Sequence, residues 1–440
     1  MNAGPGREPG AGLRGVVAAQ RSRVALAGVL GLYFAVLQFA LGGRQHWGRL
    51  GVGPLFFPFG DLRNVTAAWE CTRKGIAVLP SNPCDPYTRP ANYPRLWLAL
   101  SDLGLGQSDT FWLGFIVVGL FLLAAIFVLP GRASWGATAV YAAVLCSPAA
   151  MLGVERGNVD IVLFAMVVLA VLVSTRGLIG LVAADALVLL AAMLKLFPIF
   201  SIGFLVPRRS RRAIVSILVV IAAFVVYAIA IRNQLHQIRE VVPQTNKYSY
   251  GLRRVSEWLS AGTEGSKQKS SSLPGWDVLL LVAVAGGAWL AARRTRPAVA
   301  HAPEDAAERR DLELFWAGAC TYVGTYAIAR NYDYRLVFVL MTVPQLVRWT
   351  RAGSWLAYLT IGAMLATMWL DGYYSWFIWP WLNDWSGWTS VGPQAMTLPL
   401  SAIAQLVLCF GLVSWLIVSA PHAMRRERVP AAAPRPAGIG

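Results

Sequence analysis

Glu155-Arg156-Gly157-Asn158-Val159-Asp160 joins two apolar runs, 135–154 and 159–174, with almost no loop between them. Charge that close to the hydrocarbon core of a bilayer is expensive and is rarely kept without a use. Four comparable clusters recur along the chain: Gly60-Asp61-Leu62-Arg63, Asn82-Pro83-Cys84-Asp85-Pro86-Tyr87, Leu194-Lys195-Leu196-Phe197-Pro198 and Arg330-Asn331-Tyr332-Asp333-Tyr334-Arg335. Each lies beside or between apolar runs. The chain therefore reads as an all-α, polytopic membrane protein whose charged turns are its working parts.

The composition agrees. Of 440 residues, 56% are hydrophobic and 14% charged, where a soluble domain carries about 25% charged residues. The net charge of +17 does not point to nucleic acid. The arginines sit at span ends: Arg208, Arg209, Arg211 and Arg212; Arg293, Arg294 and Arg296; Arg425, Arg426 and Arg428. That is the basic punctuation that orients membrane helices with their positive loops in the cytoplasm.

Candidate spans fall at 24–42, 110–130, 135–154, 159–174, 178–194, 196–207, 213–231, 276–292, 313–329, 335–347, 354–371 and 398–419, about twelve in all. Residues 178–207 are too long for one simple span and too short for two full ones. Arg176 and the block Pro207 to Arg212 both belong to the cytoplasm, so two crossings separate them. Two short or broken helices are expected, with Lys195 and Pro198 at the turn. Both termini are then cytoplasmic, with tails 1–23 and 421–440 disordered and one integral domain over 24–420. All five charged clusters fall on the outer face of a plasma membrane, which suggests an active site there.

The outer segment 43–109 is the longest. From Asp61 to Gly75, Val65, Ala68, Trp69 and Thr72 recur at helical spacing, which predicts an amphipathic helix on the membrane surface. Asp61 is either the N-cap of that helix or a catalytic base, and the two roles can coexist. The proline-rich stretch Asn82 to Trp97 predicts an extended strap whose Tyr87 and Tyr93 offer flat faces to a sugar ring or anchor at the interface. Cys71 and Cys84 are two free thiols or a disulfide, which an extracytoplasmic loop permits. Cys146, Cys320 and Cys409 lie in apolar runs as packing residues.

In the 155–160 turn, Gly157 would permit a positive φ and Asp160 would cap the next helix, while Glu155 and Arg156 could pair. Arg156 is also shaped to grip phosphate. Lys195 is a lone cation in an apolar run, either snorkelling or contacting phosphate. Segment 232–275 could be a mobile cover. Trp376, Trp379, Trp381, Trp385 and Trp388 form an aromatic belt or a lipid- or glycan-facing surface.

These motifs in order resemble glycosyltransferase family 87, within the type-C fold of polyprenyl-phosphate-sugar-dependent enzymes. They are Asp61, Ala67-Ala68-Trp69, Gly75, Asp85-Pro86-Tyr87, Asn92-Tyr93-Pro94, Arg156-Gly157-Asn158 and Lys195-Leu196-Phe197-Pro198. The resemblance covers about residues 24–210. It implies inverting transfer of one sugar, mannose or arabinofuranose, from a polyprenyl-phosphate donor to a lipid-linked or cell-envelope glycan. Asp61 would be the base. Arg156, Lys195, Arg330 and Arg335 would hold the donor phosphate. Tyr87, Tyr93, Asn158, Asn331 and Asp333 would contact sugar or acceptor. Some relatives carry a histidine in a late outer loop. Here His46, His236, His301 and His422 all lie elsewhere, and Asp333 would be the available second acid–base group. No cofactor is implied beyond the lipid-linked substrate, and the histidines give no reason for a metal site.

Two other classes compete. A transporter would place polar groups near the bilayer midplane on broken helices and often repeats itself; here the polar groups sit at span ends and no repeat is visible. A glycan polymerase or ligase would take a diphosphate-linked oligosaccharide.

Overall fold

The computed structural model describes residues 18–79, 81–241, 249–255, 274–299, 303, 305–328, 331–373 and 394–423. They form helices almost throughout, with a two-residue antiparallel pair, Ser249–Tyr250 against Asn331–Tyr332. The Trp376–Trp388 surface, Arg330, His301 and most of the expected cover lie outside the described residues, as do the outer parts of both tails.

Six helices are long and apolar enough to cross a bilayer: Arg21–Ala40, Gln107–Val128, Gly177–Leu194, Arg211–Ala230, Asp277–Thr295 and Leu400–Ala420. Trp135–Leu145 and Pro148–Arg156, bent by 52° at their junction, would make a seventh. The expected count of about twelve spans, several of them short, is not confirmed among the described residues. Val159–Val173 and Phe197–Arg208 are apolar but short. At about 1.5 Å per residue, fifteen residues reach about 22 Å, against a hydrocarbon core of about 30 Å.

The 178–207 region divides as charge parity requires. The helix Gly177–Leu194 stops where Lys195 turns extended, and a tight 3-10 run, Phe197–Arg208, follows. A second long 3-10 run, Asp333–Thr342, leads into the helix Val343–Arg351. The largely buried helix Ala306–Ile328 packs on both runs. Gly318 makes the second contact possible. A Cβ there would sit 2.5 Å from the carbonyl oxygen of Phe338, so only a glycine lets the two backbones meet.

Ion pairs gather toward the N-terminal part of the same helix. Arg208 forks onto buried Glu313 at 2.6 and 2.7 Å and reaches the Ser174 carbonyl at 2.8 Å. Arg348 holds Asp311 and Glu308.

The helix Gly60–Arg73 matches the predicted stretch, and Gly75 follows it at φ +72°. It does not lie free on a surface. Leu62, Asn64, Val65, Thr66, Ala67, Ala68, Trp69 and Cys71 are all buried. The reason is the strap. Asn64 donates to the Arg89 carbonyl, Asn82 donates to the Asn64 carbonyl, and Trp69 Nε1 donates to the Trp97 carbonyl at 2.6 Å. A Cys71–Cys84 disulfide, Cα–Cα 5.8 Å, staples strap to helix. Closing a loop of 13 residues removes unfolded-state freedom worth about 3 kcal/mol. Cys71→Ser with Cys84→Ser should therefore lower the thermal midpoint of the detergent-solubilised protein, and reductant should do the same to the wild type but not to the double variant.

Candidate active site

The segments that carry the charged clusters meet at one end of the bundle. The Phe59 amide donates to the Glu155 carbonyl at 3.2 Å, and Trp97 Nε1 donates to the Leu194 carbonyl at 3.0 Å. Buried Glu155 accepts from Arg44 at 2.9 Å and from the Leu55 amide at 3.0 Å. Its other oxygen lies 3.2 Å from Arg156 Nε. The expected Glu155–Arg156 pair exists, and Glu155 also fixes where the first long segment enters.

Asp61 is not the N-cap of its helix. Phe59 holds that position with φ 53°, and no side chain caps it. The Asp61 carboxylate turns instead to two partners. Arg89 Nη1 donates to one oxygen at 3.1 Å, and Asn158 Nδ2 donates to the other at 2.7 Å. Arg156 Nη1 stands 4.0 Å from the first oxygen. The side chain keeps 13% of its surface exposed. Each oxygen accepts one hydrogen bond, which leaves each a lone pair for an incoming hydroxyl.

Asn158 joins this carboxylate to a second cluster. Its Oδ1 accepts from the Asp160 amide at 2.9 Å, so Asn158, not Asp160, caps the helix Val159–Val173. Both residue types cap well, but Gly157 at φ +55° lets the helix start two residues earlier than an Asp160 cap would and gives the cap to Asn158. That amide bond also fixes which end of Asn158 is oxygen, leaving its nitrogen for Asp61. Asp160, relieved of capping, takes Lys195 Nζ at 2.6 Å on one oxygen and Arg335 Nε at 3.2 Å on the other. Two cations against one carboxylate leave the cluster positive. Lys195 has further N–H donors free of Asp160, and Arg335 spends another on the Asn331 side chain.

Aromatic rings wall this cluster. Tyr93 and Tyr334 lie 5.4 and 5.5 Å from Lys195 Nζ, and Phe197 lies 4.2 Å from the Arg335 guanidinium. Burial pushes the Tyr93 hydroxyl well above its ordinary pKa, and nearby Asp61 and Asp160 add to that. Tyr93 is thus a neutral hydrogen-bonding group between the two carboxylates.

Of the residues singled out by sequence, Asp61, Asn158, Arg156, Lys195, Arg335, Asn331 and Tyr93 come together. Tyr87 does not face them. Its hydroxyl accepts from the Phe57 amide at 3.0 Å and its ring lies 4.9 Å from the Arg89 guanidinium. Asp333 also departs from expectation. It is buried in a separate cluster, hydrogen-bonded to Asp371, whose carboxylate takes Arg254 at 2.6 Å. Burial, with Asp371 beside it, raises the Asp333 carboxyl well above the usual range. Its chain position beside Arg335 does not carry its side chain to Asp61, because one residue of the pair turns to each cluster.

Arg89 was not singled out from the sequence. The only local signal was its i,i+4 spacing from Asp85 within the proline-rich stretch.

The family model described as Glycosyltransferase family 87 matches residues 94–315. The matched stretch contains Glu155, Arg156, Asn158, Asp160 and Lys195; Asp61 and Arg89 precede it and Arg335 follows it. No curated protein matches the chain in sequence. Among solved structures, the crystal structure of ArnT from Cupriavidus metallidurans in the apo state aligns over 91% of this chain and 77% of that chain, at 14% identity and a TM-score of 0.33.

Proposed function

Because this chain belongs to glycosyltransferase family 87, we propose that it transfers a single sugar, with inversion, from a polyprenyl-phosphate donor to a lipid-linked or cell-envelope glycan at the outer face of the plasma membrane. Mannose is the favoured sugar and arabinofuranose the alternative. The observation that carries the proposal is the Asn158 bridge. It sets a partly exposed carboxylate, Asp61, beside a net-positive cluster, Lys195–Asp160–Arg335.

The chemistry follows from that pairing. Asp61 removes the proton of the acceptor hydroxyl as its oxygen attacks the anomeric carbon. The bond from that carbon to the donor phosphate oxygen breaks, and polyprenyl phosphate leaves with the electron pair. Lys195, Arg335 and Arg156 stabilise the charge that develops on the departing phosphate. In this account Asp160 holds the first two cations side by side, and side chains rather than a metal ion carry the leaving group. Tyr93, Asn158 and Asn331 contact sugar or acceptor, and Arg330 is a further phosphate candidate. The domain over 24–420 acts as one unit with both termini in the cytoplasm, in a type-C fold.

Donor chemistry tests this reading. Purified protein in nanodiscs, given a lipid-extract acceptor, is expected to incorporate sugar from polyprenyl-phosphate mannose or polyprenyl-phosphate arabinose. Incorporation only from diphosphate-linked oligosaccharides would replace it with a polymerase or ligase.

A further inference from the structure

We propose that Arg89 is the positioning residue that aims the Asp61 carboxylate, held for that purpose on a strained turn of the strap. The proposal rests on Asp61 being the base.

Arg89 is gripped on all sides. Its backbone amide and Nε both donate to Asp85 Oδ2, at 3.0 and 2.9 Å, and Nη2 donates to Asp85 Oδ1 at 3.2 Å. The same Nη2 donates to the Gly60 carbonyl, in the first turn of the Asp61 helix. The Tyr87 ring covers one face of the guanidinium. Asp85 is 1% exposed, so this pair is taken out of water and its geometry is narrow. The two N–H groups on Nη1 remain, and one of them reaches Asp61 at 3.1 Å. A planar fork fixed at four points leaves that N–H little choice of direction.

Backbone strain points to the same place independently. Among the described residues, three that are not glycine have left-handed φ: Phe59, Thr88 and Arg209. Such conformations cost of order 1 kcal/mol or more each and persist where surrounding structure enforces them. Phe59 opens the helix that carries Asp61, two residues before it. Thr88 immediately precedes Arg89. Two of the three strained residues thus launch the two halves of one ion pair. Asp85 holds the Thr88 turn from within, through its carbonyl and the Thr88 amide at 2.8 Å, and the next residue back, Cys84, is stapled to the Asp61 helix.

A merely structural arginine and a positioning one make different predictions. Loss of aim without loss of fold is expected to lower transfer about 100-fold, as small misplacements of reacting groups do. The loss should fall on kcat more than on KM, because a misaimed base weakens the reacting step rather than binding. Arg89→Met, Arg89→Lys and Arg89→Ala are compared with wild type in nanodiscs, with heat-resistant monodisperse protein as the fold control. The proposal expects a large kcat loss in Arg89→Met, smaller loss in Arg89→Lys, and partial rescue of Arg89→Ala by millimolar guanidinium. Full activity in Arg89→Met overturns it. So does a loss with no guanidinium rescue, which marks a structural role. Asp61→Asn is run alongside. If Asp61→Asn abolishes transfer while the Arg89 variants do not, only the positioning role fails; if Asp61→Asn transfers as well as wild type, the base assignment fails and this proposal with it.

Discussion

Asp61→Asn is expected to lower sugar transfer by about 10²–10⁴-fold, the usual contribution of a positioned general base, while the protein stays folded and membrane-inserted. The asparagine keeps the size of the side chain, but its one oxygen can accept in place from Arg89 or from Asn158, not from both, because the two donors address different oxygens of Asp61. It cannot take a proton from the acceptor. A capping role would give another pattern, a stability loss of about 1 kcal/mol with activity falling in step. The structure already argues against capping, since the Asp61 carboxylate bonds Arg89 and Asn158 rather than a helix amide. Activity at saturating substrate, compared with the fraction of protein surviving a heat step, separates the two.

The largest stability effect is expected at Asp160. Its carboxylate is fully buried and holds both Lys195 and Arg335. Asp160→Ala removes the shared partner and leaves two cations side by side in a low-dielectric site. Breaking a buried pair by removing one member costs about 3–5 kcal/mol, and here two charges are orphaned at once. The variant should show poor expression or early heat aggregation. Asp160→Asn keeps one acceptor oxygen for one of the two cations and should lie between it and wild type. Lys195→Met should behave differently, because Asp160 still holds Arg335. It should stay folded and raise the donor KM by an order of magnitude or more, as expected when one charge-assisted contact worth about 1.5–3 kcal/mol is lost. Equal stability in Asp160→Ala and wild type would show that the cluster is solvated and does not depend on the shared carboxylate.

How much of this was legible in the chain depends on the range of the interactions involved. The break at Lys195 was legible because charge parity between Arg176 and Arg208 allowed only an even number of crossings. The helix from Asp61 to Gly75 was legible because Val65, Ala68, Trp69 and Thr72 mark a period. Its burial was not. That depends on Asn64, Asn82 and Trp69 bonding residues 18 to 28 positions away, contacts that leave no periodic trace. The same holds for Arg89, whose role depends on Asp61 and Gly60. Asn158 and Asp160 are both good caps two positions apart, and only the backbone of Gly157 decides between them. Where the Asp333 side chain goes was not legible either, because sequence adjacency to Arg335 says nothing about direction; a turn of extended and 3-10 backbone sends the two side chains to different clusters. The number of full crossings was less legible, because apolar content can be read along the chain while helix length cannot: Val159–Val173 is apolar throughout but short.

The account stands or falls on whether Asp61 is the base of a sugar transfer. The most direct measurement is incorporation of labelled sugar from polyprenyl-phosphate mannose and polyprenyl-phosphate arabinose into a lipid-extract acceptor, by wild type and Asp61→Asn in the same nanodiscs. The account predicts incorporation by the wild type from one of these donors and background counts from equally well-folded Asp61→Asn. Equal incorporation by the two proteins would contradict it.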